Sequence, residues 1–377
     1  MKKCVVVSDS FKGTLSSLEI CDLARTSIPR FFPQCQVVTL PVADGGEGTV
    51  ACFLQALQAQ LVEVTVTGPW GETVQAGYAR SGTKAVVEMA SAAGLPMVGK
   101  RRDPGATTTY GVGQLIRHAV ENGCTQILLG LGGSATNDGG CGCAAALGVE
   151  FRDRHGESFV PVGRELERIA SIDISRAREL LAGVELTAMC DVENPLWGPN
   201  GAAYIFGPQK GADREMVRHL DGQLQALSQT MKRELGVDVS QLPGAGAAGG
   251  MGAGCVALLG GSLKSGIEAV LDMVDFDRHL EGADLVITGE GRIDSQSVQG
   301  KVISGVARRT APRKIPLVAL VGSIDNSADA AYDLGVTAMF GIDREAVAFE
   351  AYARRSGECY RRTLEDVLRL IAAVERR

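Results

Sequence analysis

Cys4-Val5-Val6-Val7-Ser8-Asp9-Ser10 opens the chain with an apolar, β-branched run that ends in a polar turn, and three further segments repeat that design. They are Val37-Val38-Thr39-Leu40 leading to Asp44-Gly45-Gly46-Glu47-Gly48, Leu285-Val286-Ile287 into Thr288-Gly289-Glu290-Gly291, and Leu317-Val318-Ala319-Leu320-Val321 into Gly322-Ser323. Runs of this kind, separated by amphipathic helices, read as parallel strands buried on both faces. Open parallel sheets hold ligands beyond the carboxyl ends of their strands, so these turns are expected to converge on one site for a small anion. The fold class is therefore α/β.

Working outward, Ser16 and Glu19 form a capping box that announces a first helix, with Ile20, Leu23, Ala24, Ile28 and Phe31 on one face. The Asp44 turn leads into a second helix from Val50 to Leu57. The pattern then changes to alternation, in Leu61–Val66, Gly71–Ala76 and Lys84–Met89, separated by glycine-containing turns. These read as hairpin-linked antiparallel strands. A helix from about Tyr110 to Glu121 follows, then a strand, Gln126–Leu129, entering Gly130-Leu-Gly-Gly-Ser-Ala-Thr-Asn-Asp-Gly-Gly140. Another strand, Val184–Met189, enters Cys190-Asp191-Val192-Glu193-Asn194-Pro195. The buried-strand style returns only after Gly282-Ala283-Asp284. The organisation expected is a discontinuous domain, residues 1–60 plus 280–377, with a second α/β domain, 61–279, inserted.

A chain of 377 residues favours two domains, and 45% apolar with 22% charged residues is ordinary for a globular enzyme. A net charge of -6 without a Lys/Arg stripe excludes sequence-independent nucleic-acid binding. No apolar stretch is long enough to cross a bilayer, so no membrane partner is expected and a cytoplasmic location is. Ten cysteines in apolar surroundings read as reduced, buried thiols.

Gly244-Ala-Gly246-Ala-Ala-Gly249 matches a dinucleotide fingerprint by letter, yet Gln241-Leu242-Pro243 precedes it where a strand is required. Its glycines read better as points of close backbone approach, to a phosphate or to a packed neighbour. The four histidines sit in helical or charged surroundings that suit no Ser-His-acid triad. Carboxylates carry the chemistry instead. Asp9, Asp44, Asp138, Asp191, Glu290 and Asp294 all lie in turns after strands, more than capping requires. Carboxylates beside glycine loops suit a Mg²⁺ that carries nucleotide phosphates. Backbone N–H groups of Gly45, Gly46, Gly132, Gly133, Gly139 and Gly140 would be donors to those phosphates. Lys12, Lys210 and Lys301 are the nearest basic groups, and each taken alone reads as a solvated surface lysine.

Seven motifs then fall in one order: Ser8–Ser16, Pro41–Thr49, Gly130–Gly140, Cys190–Leu196, Phe206–Ala212, Pro243–Ala253 and Ile287–Ser297. Together they closely resemble the bacterial class I glycerate kinases. The resemblance implies ATP-dependent phosphorylation of D-glycerate to 2-phosphoglycerate, with Mg²⁺ as the nucleotide's partner. It also implies a flavodoxin-like domain carrying an inserted restriction-endonuclease-like domain, with the active site in the cleft between them. One departure is visible: Ser8 stands where the family usually has proline, which is expected to loosen the backbone there.

On this reading Asp191 or Asp44 is the general base, with Lys12 beside them as a catalytic cation. Gly45, Gly46, Gly132, Gly133, Ser134 and Asn137 hold the nucleotide. Asp9, Ser10, Arg292 and Asn194 meet the substrate, and Asp138 and Glu290 arrange the metal. Partners are small molecules only, with monomer or homodimer left open. The alternatives are a kinase that gives 3-phosphoglycerate and, from other classes, a non-catalytic nucleotide or sugar-acid binding protein or an NAD-dependent oxidoreductase.

Overall fold

The structure, a computed structural model, describes residues 1–11, 13–42, 49–57, 59–294, 301–344 and 353–375. The expectations at Lys12, Asp44, Gly45 and Gly46 lie outside the described residues. Its two main sheets use, among the described residues, strands β1 (Lys3–Ser8), β2 (Gln36–Pro41), β3 (Gln60–Thr67), β4 (Thr73–Ser81), β5 (Lys84–Glu88), β6 (Gln126–Gly130), β7 (Glu185–Met189), β8 (Ser262–Lys264), β9 (Leu285–Gly289), β10 (Leu317–Val321) and β11 (Ala338–Gly341). The chain divides into two compact units. One comprises Met1–Asp44, Gln55–Leu57 and Gly266–Arg377, the other Gly45–Leu54 and Gln58–Ser265.

The first unit is built on a parallel sheet in the order β2-β1-β9-β10-β11. Counted within the unit this is the 2-1-3-4-5 order of doubly wound flavodoxin-like sheets, whose direction reverses between β1 and β9. All residues of β9 and β10 are buried, as sequences without alternation require in a sheet covered on both faces. The helix Ser17–Phe31 starts as expected: Ser16 Oγ accepts the Glu19 N–H at 3.2 Å, and a Glu19 carboxylate oxygen accepts the Ser16 N–H at 2.8 Å. The bonds to the carboxylate, from the Ser16 N–H and from the Ser16 hydroxyl, favour its ionised form and lower its pKa. Ile20, Ala24 and Ile28 then share a core with Val6 of β1 and with Tyr360, Leu364 and Leu368 of the helix Ser356–Glu375. Phe11 seals one end, edge-on to Tyr360 with ring centroids 6.0 Å apart.

The second unit carries a mixed sheet in the order β8-β7-β6-β5-β4-β3. β8, β7, β6 and β5 run parallel, while β5-β4-β3 are antiparallel and joined by tight turns. The turn before β4 holds Gly71 at φ 86, so the strand begins at Thr73 rather than at the Gly71 of the sequence reading. The helix Tyr110–Glu121 buries Val112, Leu115, Ile116 and Ala119 in the core of this unit. The long helix Arg214–Leu235 begins at Asp213, whose carboxylate accepts the Glu215 and Met216 N–H groups at 3.0 and 2.9 Å. No helix among the described residues is long and apolar enough to cross a membrane.

Candidate active site

Parallel register brings Glu88, Gly130 and Met189 side by side at the ends of β5, β6 and β7. The loop after Gly130 and the segment after Met189 therefore leave the second unit's sheet from one edge. Glu88 itself accepts the Val50 N–H at 2.7 Å, capping the helix Thr49–Ala56 at that edge. Sequence reasoning had passed over Glu88.

The glycine loop is organised from inside by Asp138, which is 0% exposed. One carboxylate oxygen accepts the Thr109 N–H and hydroxyl, both at 2.8 Å, and the Gly142 N–H at 3.2 Å; the other accepts the Gly140 N–H at 3.1 Å. A carboxylate has about four lone-pair sites, two on each oxygen, so the first oxygen is crowded while the second keeps one site open among the described residues. Burial pushes the Asp138 pKa up, and the same four bonds pull it back. The Gly140 amide is thus spent on Asp138, and the Gly139 amide on the Gly249 carbonyl at 3.0 Å. Neither is the phosphate donor that the sequence suggested. Gly132 and Gly133 are exposed.

Lys210 overturns its surface reading. It is only 3% exposed, and its ammonium donates to Ser134 Oγ at 2.8 Å and to the Thr136 carbonyl at 2.7 Å. Burial lowers its pKa to about 7, against the upward pull of the Asp138 charge. Beside these contacts, Thr136 Oγ1 and both amide atoms of Asn137 are buried and have no hydrogen-bond partner among the described residues. The signal for a buried cation lay in the Phe206–Ala212 motif as a whole and in no property of the lysine alone.

The glycine-alanine tract forms the kinked helix Ala247–Ala257 and packs on this loop, in keeping with the packed-neighbour reading of its letters. At Gly249, φ is 69°, and an added Cβ would lie 2.0 Å from the Thr136 carbonyl oxygen that Lys210 also holds. Gly249→Ala is expected to cost about 2 kcal/mol or more in stability, from overpacking and left-handed strain. Urea denaturation checks this; a wild-type midpoint would refute the close approach.

Along the neighbouring segment, Asp191 is exposed immediately past β7. The Cys190 thiol beside it donates to the Val192 carbonyl at 3.2 Å. The Asn194 side chain donates to the Asn200 carbonyl at 2.8 Å, and its own carbonyl accepts the Gly246 N–H at 3.0 Å, so Asn194 also shapes the turn.

In the first unit, the switch between β1 and β9 places Ser8 opposite Gly289. Ser8 does not loosen this corner. Its hydroxyl lies 3.0 Å from the carbonyls of both Asp9 and Gly289, and its own carbonyl accepts from Ser17 Oγ at 2.6 Å. The Asp9 N–H also reaches the Gly289 carbonyl, at 3.0 Å, while its carboxylate accepts the Ser10 N–H at 2.6 Å. Glu290, 5% exposed, follows Gly289 at the end of β9. Arg292 is held by Asp325 at 2.7 Å, and Asp325 is pulled down to about 2 by the Ser327 N–H and hydroxyl and by that guanidinium. Among the described residues no group of three or more His, Cys, Asp or Glu side chains forms a metal cage.

The model of the glycerate kinase family matches residues 4–372. The chain belongs to the glycerate kinase family. A glycerate kinase from Bacillus cereus is 46% identical over 368 residues, covering 97% of each chain. The glycerate 2-kinase of Escherichia coli is 45% identical over 343 residues, covering 90% of each. A crystal structure from Salmonella typhimurium LT2, assigned as a glycerate kinase 2, superposes with a TM-score of 0.88 at 42% identity, covering both chains completely. One unit carries a glycine loop with a buried lysine and an exposed Asp191, and the other, by itself, a doubly wound switch point with Asp9, Ser10, Glu290 and Arg292 nearby.

Proposed function

We propose that this chain transfers the terminal phosphoryl group of ATP to the 2-hydroxyl of D-glycerate, giving 2-phosphoglycerate and ADP. The observation that carries this reading is the shared edge of β5, β6 and β7, where a loop braced by a buried ammonium lies beside the segment that exposes Asp191. Phosphoryl transfer needs alignment and charge stabilisation more than covalent help, and this edge offers both a cation and a carboxylate. The relative named glycerate 2-kinase supports the choice of hydroxyl.

In this reading Asp191 accepts the proton of the attacking hydroxyl. Gly132, Gly133, Ser134 and Asn137 face the nucleotide. Mg²⁺ would enter with the nucleotide substrate and offset the charge of its phosphates, and Glu290 is the carboxylate that would help to hold it. Asp138 serves the loop instead, because it is fully buried and both its oxygens already accept from Thr109, Gly140 and Gly142. Arg292, oriented by Asp325, meets the glycerate carboxylate together with Asp9 and Ser10. The ten cysteines are free thiols, which suits a reducing compartment such as the cytoplasm.

Glycerate-dependent ADP release tests the activity, and ³¹P NMR of the product tests the position. Phosphorus attached through the 2-oxygen couples to a single carbon-bound proton and gives a doublet. A triplet, from the methylene group, would establish 3-phosphoglycerate instead. ADP release that is indifferent to glycerate would overturn the proposal.

A further inference from the structure

Lys210 is a buried cation whose hydrogen bonds go to neutral oxygens only. An ammonium has three donors, and two are accounted for by Ser134 Oγ and the Thr136 carbonyl. Burying a charge is costly unless it is both paired and hydrogen-bonded. Asp138 acts on Lys210 through its charge, while its own hydrogen bonds come from Thr109, Gly140 and Gly142. Among the described residues the third ammonium donor has no acceptor, so the site holds a donor that these residues leave over.

Ser134 shows where that surplus is directed. Its oxygen accepts from Lys210, so its own hydrogen must point away from the ammonium, and the described residues offer it no acceptor. The residue is 6% exposed and follows the carboxyl end of β6, on the side of a parallel sheet where ligands bind. Next to it, Thr136 Oγ1 and the Asn137 amide are buried with no partner among the described residues, an independent sign of a polar ligand's place.

We propose that Lys210 is a positioning residue: it orients Ser134 so that the serine hydroxyl donates to an anionic oxygen of the bound substrates, most directly a nucleotide phosphate. The ammonium lowers the energy of the bound anion through Ser134 and fixes the serine rotamer. This rests on the kinase reading above, but it concerns binding and can be measured without turnover.

The test is calorimetric titration of wild type, Ser134→Ala, Lys210→Met, Lys210→Arg and the Ser134→Ala/Lys210→Met double variant. Each is titrated with Mg²⁺ and β,γ-imido-ATP and, separately, with D-glycerate. A hydrogen bond to a charged group is worth about 1.5–3 kcal/mol, so each single variant should weaken one of the two ligands by about tenfold or more. The double variant should be no more than about threefold weaker than Lys210→Met, because both changes remove one device. Lys210→Arg should recover part of the affinity. The ligand that weakens identifies the anionic oxygen. Wild-type affinity of Ser134→Ala for both ligands would overturn the inference, and so would losses that multiply in the double variant. Should Lys210→Met fail to fold, Ser134→Ala alone decides, since removing one hydroxyl leaves the loop's other contacts in place. A wild type that couples these positions in binding yet releases no ADP with glycerate would sink the kinase reading and leave this inference standing.

Discussion

Asp138→Asn will destabilise the protein by about 3–5 kcal/mol, the cost of breaking a buried charge and its bonds from one side. The carboxylate accepts four donors, three on one oxygen and one on the other. An amide has one oxygen to offer, so whichever way it is turned, its NH₂ faces a donor that nothing else satisfies. The charge that raises the Lys210 pKa disappears as well. Urea unfolding followed by circular dichroism measures the loss; a deficit below about 1 kcal/mol would mean that the loop has other support.

The deficit should also depend on pH with a definite sign. Folded Lys210, lowered to about 7, binds its proton more weakly than an unfolded lysine, so its contribution to stability rises with pH above that value. Without Asp138 the folded value falls further and the rise begins at lower pH. In the wild type, the raised Asp138 pKa makes its own contribution fall as pH increases through it. Both effects narrow the gap between variant and wild type as pH rises. Unfolding at about pH 5.5 and about pH 8.5 measures it; a gap that widens would contradict the placement of these two charges.

Asp191→Asn will reduce kcat by about 10²–10⁴, the range that a positioned general base contributes. Asp191 is exposed just past β7, so the substitution removes a proton acceptor without disturbing a core. Affinity for β,γ-imido-ATP should stay within about twofold, and unfolding should be unchanged within about 0.5 kcal/mol. Retained wild-type turnover would remove Asp191 from this role and direct attention to Asp44.

Much of the scaffold could be read from residues because its causes are local. The Ser16–Glu19 cap and the helix face of Ile20, Ala24 and Ile28 follow from spacing alone, and both are present. The shared style of β1 and β9 put them in one domain, but no local pattern says that the two pair directly. The glycines were visible but their reasons were not. Gly289 read as part of a turn at the anion site, whereas a Cβ there would sit 2.1 Å from the Leu320 carbonyl oxygen of β10, so strand proximity alone excludes a side chain. Lys210 was misread for a similar reason: its burial is created by Ser134, 76 residues away in sequence. Ser8 looked like a loosened proline position, yet its hydroxyl joins the ends of β1 and β9.

That pairing of β1 with β9 also constrains how the molecule is born. The nascent chain presents β1 and β2 early, but the neighbour on the other flank of β1 emerges from the ribosome only after roughly 240 more residues, on the order of tens of seconds later at about 5–20 residues per second. Throughout that interval an apolar strand edge stands open to aggregation or to chaperones, while the inserted segment can fold behind it.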